Sequence, residues 1–335
     1  MQSMIFPFLT AALVSFLITP IVVKYAKALG IVDDPETNKH PKVIHTKPTP
    51  RGGGIPIFVS LFATSLIFLP LDKHLISILA GALVLVIMGF LDDKYNLNPY
   101  LRLFFGFLAA AIPVLGGIGV SFLTNPLGGT INFSPIISDL FAMFWVVFLM
   151  NMVNMGAKGV DGQLSGVTII SALTIAALSL RFSADIAQWP VIILAVVTAG
   201  AYSGFLPWHI FPQKIMPGYG GGTLAGYLLA ILSILSTTKV GTLMVVLGVP
   251  LIDTGYTIIR RVLSGHSPVW GDRGHLHHRL LDAGLTKNQV AILYWLITAV
   301  LGILALNLNT TSKLYTMIGV GMFVGGIILW LSRKQ

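Results

Sequence analysis

The sequence predicts an all-α, polytopic integral membrane protein. It predicts about eleven transmembrane helices in one bundle, with the N-terminus outside and the C-terminus in the cytoplasm. Three observations carry this. The 335 residues are 55% hydrophobic and only 10% charged, against roughly 25% charged in a soluble domain. Apolar runs near the roughly 20 residues needed to cross a bilayer recur from end to end. When the loops are assigned to alternate sides, the 21 Lys and Arg divide 17 against 4, the asymmetry the positive-inside rule produces.

The runs follow in order. The first, 4–27, has its first cation at Lys24, the reverse of a secretory signal peptide, and reads as a retained helix entering from outside. The second and third, 54–71 and 74–91, lie between the glycines 52–54 and the acids Asp92 and Asp93. The fourth and fifth, 101–122 and 138–153, flank a plain outer loop, and the fifth closes in the polar NMVN. The sixth and seventh, 164–181 and 189–207, precede the eighth, 223–237, which follows a glycine-rich stretch. The ninth, 239–259, contains Asp253, and the tenth and eleventh, 290–309 and 314–332, come after a histidine-rich segment. Several are short, which tilt, bends or flanking residues accommodate. No repeat or soluble domain interrupts them, so residues 1–335 read as a single transmembrane domain.

The basic side is expected in the cytoplasm of a plasma membrane protein, and it holds nearly all the chemistry. Its loops are 28–53, 92–100, 154–164, 208–222 and 260–289. The net charge of +9 reflects this topology and not a nucleic-acid partner. With no cysteine in the chain, disulfides and thiolate metal sites are excluded.

Asp92 and Asp93 stand at the end of the third span, where the helix dipole disfavours negative charge, so a compensating cation is expected. Pairing with Lys94 is one reading. The other is a divalent ion such as Mg2+, which takes hard oxygen ligands and completes its shell with water and phosphate. Asp161 lies in a glycine-rich loop after Asn151 and Asn154, which share a helix face. Lys158 adds a cation there. The glycines at 52–54 and 218–222 match no phosphate-loop pattern. They read as linkers, or as places where backbone approaches a ligand. GDRGHLHHRLLD, residues 271–282, concentrates His275, His277, His278 and Arg279. It fits either a basic helix at the lipid interface or a set of donors for phosphate oxygens. Asp253 is an intramembrane acid with Arg260 two turns along the same face. A buried structural pair and a substrate role are equally open there.

Together these stretches resemble the polyprenyl-phosphate N-acetylhexosamine-1-phosphate transferases, over nearly the whole chain. HTKPTPRGGG at 45–54 is similar to the family's first cytoplasmic loop. GFLDDKYNLNPYLRL resembles its double-aspartate signature. The stretch from VPLIDTGY to LTKNQ is the most specific match, and His-x-His-His at 275–278 looks like the branch acting on UDP-N-acetylglucosamine. There are departures. Lys158 stands where the family has the first of two acids, Asp161 matching the second. His209, before Pro212, replaces an Asn. The family's Met-Gly-Asp-x-Gly reads MPGYGGG here, with Gly218 near the position of a metal-ligating Asp.

The resemblance implies transfer of an N-acetylhexosamine phosphate, from UDP-N-acetylhexosamine to a polyprenyl phosphate, with Mg2+ or Mn2+ as cofactor. Asp92, Asp93 and Asp161 are the expected catalytic and metal residues. Asp92 and Asp93 would organise the ion or accept the lipid phosphate's proton. Asp161, Asn151 and Asn154 would orient the nucleotide, with His209 nearby. Lys47, Arg51, Lys158, His275, His277, His278 and Arg279 would bind the diphosphate. Membrane lipids surround the bundle, and a homodimer is an assembly open to it. The rival expectation, from the missing acid, is a non-enzymatic binder of the same ligands.

Overall fold

The computed structural model describes residues 2–38, 44–181, 189–236, 240–268 and 272–332. Lys39, Lys42, Lys239, Arg333 and Lys334, counted in the charge split, lie outside the described residues. Among those described, the chain forms helices α1 Gln2–Ala28, α2 Gly54–Phe68, α3 Lys73–Tyr95, α4 Pro99–Leu115, α5 Pro135–Gly156, α6 Gln163–Arg181 and α7 Trp189–His209. There follow α8 Gly218–Leu235, α9 Val240–Val246, α10 Gly248–Leu263, α11 Leu276–Asp282, α12 Lys287–Asn307 and α13 Thr310–Ser332. Eight of these are long and apolar enough to cross a membrane, or nine if the bent pair α9–α10 is one span. The protein is therefore a multi-pass helical membrane protein. Each predicted apolar run falls on a helix or on that pair, although α2 and α4 have only 15 and 17 residues.

Helix α8 is the hub. In its most apolar stretch 89% of residues are buried, against 22% for α1 and 17% for α13, whose large apolar side chains face outward. The hub packs against α3 and α5, and buried polar groups there are satisfied by specific partners. Tyr227 donates to Ile78 O at 2.9 Å, Tyr202 to Gly221 O at 2.7 Å, and Trp145 Nε1 to Ser233 Oγ at 3.0 Å. In hydrocarbon each such group left unpaired would be costly. The glycine runs turn out to be packing devices. A Cβ at Gly89 would sit 2.3 Å from Gly220 Cα, and one at Gly54 would sit 2.7 Å from Gly221 N. Small residues let α2, α3 and α8 cross almost backbone to backbone. Neither the linker nor the ligand-cradle reading describes these contacts.

Four local features differ from expectation. The fourth helix stops at Leu115 and not near 122. Gly117 takes φ +97° while Gly117 N–H and Ile118 N–H close back on Val114 O and Pro113 O. The outer loop after it is an antiparallel hairpin, β3 Phe122–Thr124 with β4 Thr130–Asn132. A second ribbon, β1 Val32–Asp33 with β2 Thr49–Pro50, folds the first basic loop, so the helical bundle carries two small β elements. The ninth span is broken, with α9 and α10 meeting at 80°. Pro250 has no N–H to offer Val246 O, so one hydrogen bond that would continue the helix across the bend is missing.

Candidate active site

The basic loops converge on one cavity of about 440 Å³ at a single end of the bundle. Of the expected residues, Asp92, Asp93, Asp161, Arg51, Asn151, Asn154, Lys158, His209, His275, His277 and His278 all line it. Lys47 and Arg279 do not. Lys47 is exposed, two residues before β2. Arg279 is buried, and its Nε turns back to donate to Gly274 O at 3.0 Å. It braces the histidine loop and does not face the cavity.

The two adjacent aspartates divide their work. Asp92 Oδ1 accepts from Leu97 N–H at 3.1 Å and lies 2.9 Å from Arg102 Nε, so it fastens the turn between α3 and α4. The compensating cation is thus Arg102, while Lys94 sits over the Tyr95 ring. Asp93 Oδ1 accepts Tyr219 N–H at 3.0 Å, and its Oδ2 is buried with no hydrogen-bond partner among the described residues. Lys158 Nζ donates to Gly218 O at 3.1 Å beside it. Gly218 has φ +67°, and a Cβ there would fall 1.9 Å from Asp93 Oδ2. Position 218 therefore has no room for the acid the resemblance leads one to expect, because Asp93 fills that space.

Asp161 is buried between two anchors, with Lys287 Nζ 3.7 Å from Oδ1 and Gln213 N–H 3.4 Å from Oδ2. Burial pushes its carboxyl up, and Lys287 offsets part of that. Among the described residues, no three His, Asp or Glu side chains gather closely enough to hold a metal by themselves. The three acids thus line the cavity as separate groups and not as a preformed cluster. The hard oxygens on offer are Asp93 Oδ2 and Asn154 Oδ1, both buried and unpartnered. That set fits an ion which takes one or two protein oxygens and the rest from phosphate. Asn151 differs, because it donates to Val147 O at 2.8 Å within its own helix. His209 meets Ser165 Oγ at 2.8 Å.

The histidine segment is the largest correction. Asp253 does not pair with Arg260. Its Oδ2 lies 3.0 Å from His275 Nδ1, and its Oδ1 accepts Leu276 N–H at 2.7 Å. Arg260 and Arg261 instead clasp Asp272, with Arg261 Nη2 at 3.1 Å. Burial would raise the Asp272 carboxyl, but hydrogen bonds from Arg261 and Gly274 N–H, with both guanidinium charges, bring it down to about 2. Asp272, His275 and Leu276 thus lie back against α10, which sequence spacing along one helix cannot express. His277 packs between His275, stacked at 5.4 Å, and His278 at 4.3 Å. Burial, then neighbouring positive charge, lowers His277 well below the usual range and His278 to about 4. Both rings are neutral at pH 7 in the ligand-free fold, where they serve as hydrogen-bonding groups. The formal positive charge at the cavity comes from Arg51, Arg102, Lys158 and Arg261.

This has a measurable consequence. His278 is held neutral in the fold but takes a proton near pH 6.5 when unfolded. Its contribution is complete above about pH 6.5 and is lost as pH falls toward about 4, about 3 kcal/mol in all. The thermal midpoint of purified protein should drop between pH 7 and pH 5, and His278→Gln should flatten that drop. Equal pH dependence in both proteins would refute it.

Sequence reasoning missed Arg102, Tyr219, Asp272, Asp33 and His45, all on the cavity wall. Arg102 was legible, lying in the same matched stretch as the aspartates. Asp33 was not. It is an ordinary loop acid that receives Arg51 Nη2 at 2.5 Å across the β1–β2 ribbon. Burial raises its carboxyl, but the Asn38 hydrogen bond and the Arg51 charge bring it below the usual carboxylate range.

Buried, unpartnered atoms of Asp93, Asn154, His277 and His278 share one cavity with four cations, at the mouth of an apolar bundle. Buried polar atoms are ordinarily satisfied, so such a set marks a ligand site. The fold and site define a membrane-embedded protein with a polar, charge-lined ligand cavity at the mouth of its helical bundle. The sequence model of Glycosyl transferase family 4 matches residues 75–237. The chain is 31% identical to the "Probable undecaprenyl-phosphate N-acetylglucosaminyl 1-phosphate transferase" of Bacillus subtilis, over 91% of this chain and 85% of that one. It is 30% identical to the "Undecaprenyl-phosphate alpha-N-acetylglucosaminyl 1-phosphate transferase" of Haemophilus influenzae, over 98% and 92%. It is also 30% identical to the "Decaprenyl-phosphate N-acetylglucosaminephosphotransferase" of Mycolicibacterium smegmatis, over 86% and 78%. The chain belongs to glycosyl transferase family 4, among the polyprenyl-phosphate N-acetylhexosamine-1-phosphate transferases.

Proposed function

We propose that this protein transfers N-acetylglucosamine-1-phosphate from UDP-N-acetylglucosamine to undecaprenyl or a similar polyprenyl phosphate. UMP leaves, and the product opens envelope glycan synthesis at the cytoplasmic face of the plasma membrane. The observation that carries this reading is the buried Asp93 oxygen without a partner among the described residues, within the field of Lys158, in a cavity lined by four cations and five aspartates, in a chain aligned nearly end to end with relatives of that name. An oxygen of the lipid phosphate forms a bond to the sugar-linked phosphorus. The bond from that phosphorus to the bridging oxygen breaks, and UMP departs with the oxygen.

The protein's part is positioning and charge neutralisation. Lys158, Arg51, Arg102 and Arg261 hold phosphate oxygens, and His277 and His278 offer neutral hydrogen bonds. Asn154 and Asp161 border the nucleotide. Asp93 is the residue that would hold Mg2+ or Mn2+, with Asp92 and Asp161 as further carboxylates on the same wall. The ion would supply neutralisation of the diphosphate charge. Grooves between helices take the polyprenyl tail. The 17-to-4 charge split and the two shorter apolar helices α2 and α4 support about eleven crossings, N-terminus out and C-terminus in. A homodimer is compatible with the exposed apolar surface of the outer helices.

The test is direct. Purified protein incubated with UDP-N-acetylglucosamine, undecaprenyl phosphate and Mg2+ should release UMP and form the lipid-linked sugar. Binding of either substrate with no UMP at any Mg2+ or Mn2+ concentration would replace the transferase by a binder.

A further inference from the structure

Asp253 has no place in the phosphate-binding set, yet it is the most completely enclosed acid of the cavity region. It is fully buried, and both of its oxygens are used. Oδ1 accepts Leu276 N–H at 2.7 Å, which fixes the start of α11, and Oδ2 faces His275 Nδ1 at 3.0 Å. A carboxylate oxygen only accepts, so the ring nitrogen facing it carries hydrogen. In the neutral ring this leaves Nε2, on the opposite edge, with a free lone pair. His275 lines the cavity, and its plane is held by stacking on His277. Among the described residues His277 and His278 have no such partner, since their Nδ1 atoms are buried without one. One histidine of the three therefore has its tautomer set by the fold.

We propose that Asp253 is a positioning residue which acts on substrate only through His275, holding the Nδ1-protonated tautomer so that Nε2 meets the acidic hydrogen of the incoming lipid phosphate. As the lipid oxygen attacks the sugar-linked phosphorus, that hydrogen passes to Nε2. The bridging P–O bond breaks, and the ring returns the proton to water after UMP leaves. Asp93 and the cations hold the diphosphate throughout. This inference rests on the transfer reading given above.

Wild-type UMP release comes first, and its absence would bear on that reading alone. Next, kcat and KM are measured for Asp253→Asn, His275→Gln and the double variant, each checked for monodisperse elution and UDP-N-acetylglucosamine binding. Asn keeps an oxygen for Leu276 N–H but can turn its amide toward Nδ1, reversing the tautomer. Each single variant should lose about 100-fold in kcat, with KM for the nucleotide-sugar within about threefold. The double variant should be no worse than either single. Losses that multiply in the double variant, or full kcat in Asp253→Asn, would overturn the proposal. If Asp253→Asn does not fold, 15N spectra of histidine-labelled wild type decide. Nδ1–H on His275 supports the proposal, and Nε2–H overturns it.

Discussion

Asp93→Asn should abolish transfer, by about 1000-fold or more in kcat, and leave the bundle folded. The substituted amide can still accept Tyr219 N–H through its oxygen, so the contact at 3.0 Å that joins α3 to α8 survives. What disappears is the charge on Oδ2, the buried oxygen with no hydrogen-bond partner among the described residues. Asp92→Asn should behave differently. Its carboxylate lies 2.9 Å from Arg102 and holds Leu97 N–H at 3.1 Å, so losing its charge loosens the α3–α4 turn. There the expected result is a lower thermal midpoint and a loss of activity within about tenfold, the scale of one partly buried ion pair. Kinetics and thermal unfolding of the two variants, side by side, check this. Equal collapse of kcat in both would mean that the pair acts as one unit.

Chelation gives the second large effect. Removing divalent ions with EDTA should eliminate UMP release and leave the thermal midpoint of the substrate-free protein nearly unchanged. The reason lies in the donor set. No three His, Asp or Glu side chains cluster among the described residues, position 218 is filled by Asp93, and Asp161 is engaged by Lys287 and Gln213. Few protein oxygens remain, so the ion should bind weakly alone and tightly only with the diphosphate. Calorimetric titration of Mg2+ should show weak binding to free protein and much stronger binding with UDP-N-acetylglucosamine present. Tight binding without nucleotide-sugar would contradict this site. Full activity in EDTA would remove the metal altogether, and would leave Lys158, 3.1 Å from Gly218 O, and its neighbouring guanidinium groups to neutralise the diphosphate.

The sequence by itself determined the helical membrane class, the apolar segments and the face that carries the chemistry. These follow from composition, run length and loop charge, all properties a chain has in one dimension. It also marked eleven of the thirteen expected site residues that line the cavity, because their polar types stand out in an apolar chain. Only the tertiary structure decided what each one does. Asp93 meets Tyr219, 126 residues away, and Asp253 meets His275 across a reversal of the chain, 22 residues on. Arg279 turned inward and Lys47 outward. His277 and His278 are held neutral because burial makes a charged ring costly. Pairing, burial and protonation depend on which helices pack together. A bend such as the 80° break between α9 and α10 resets all three, with no local signature that fixes the partner.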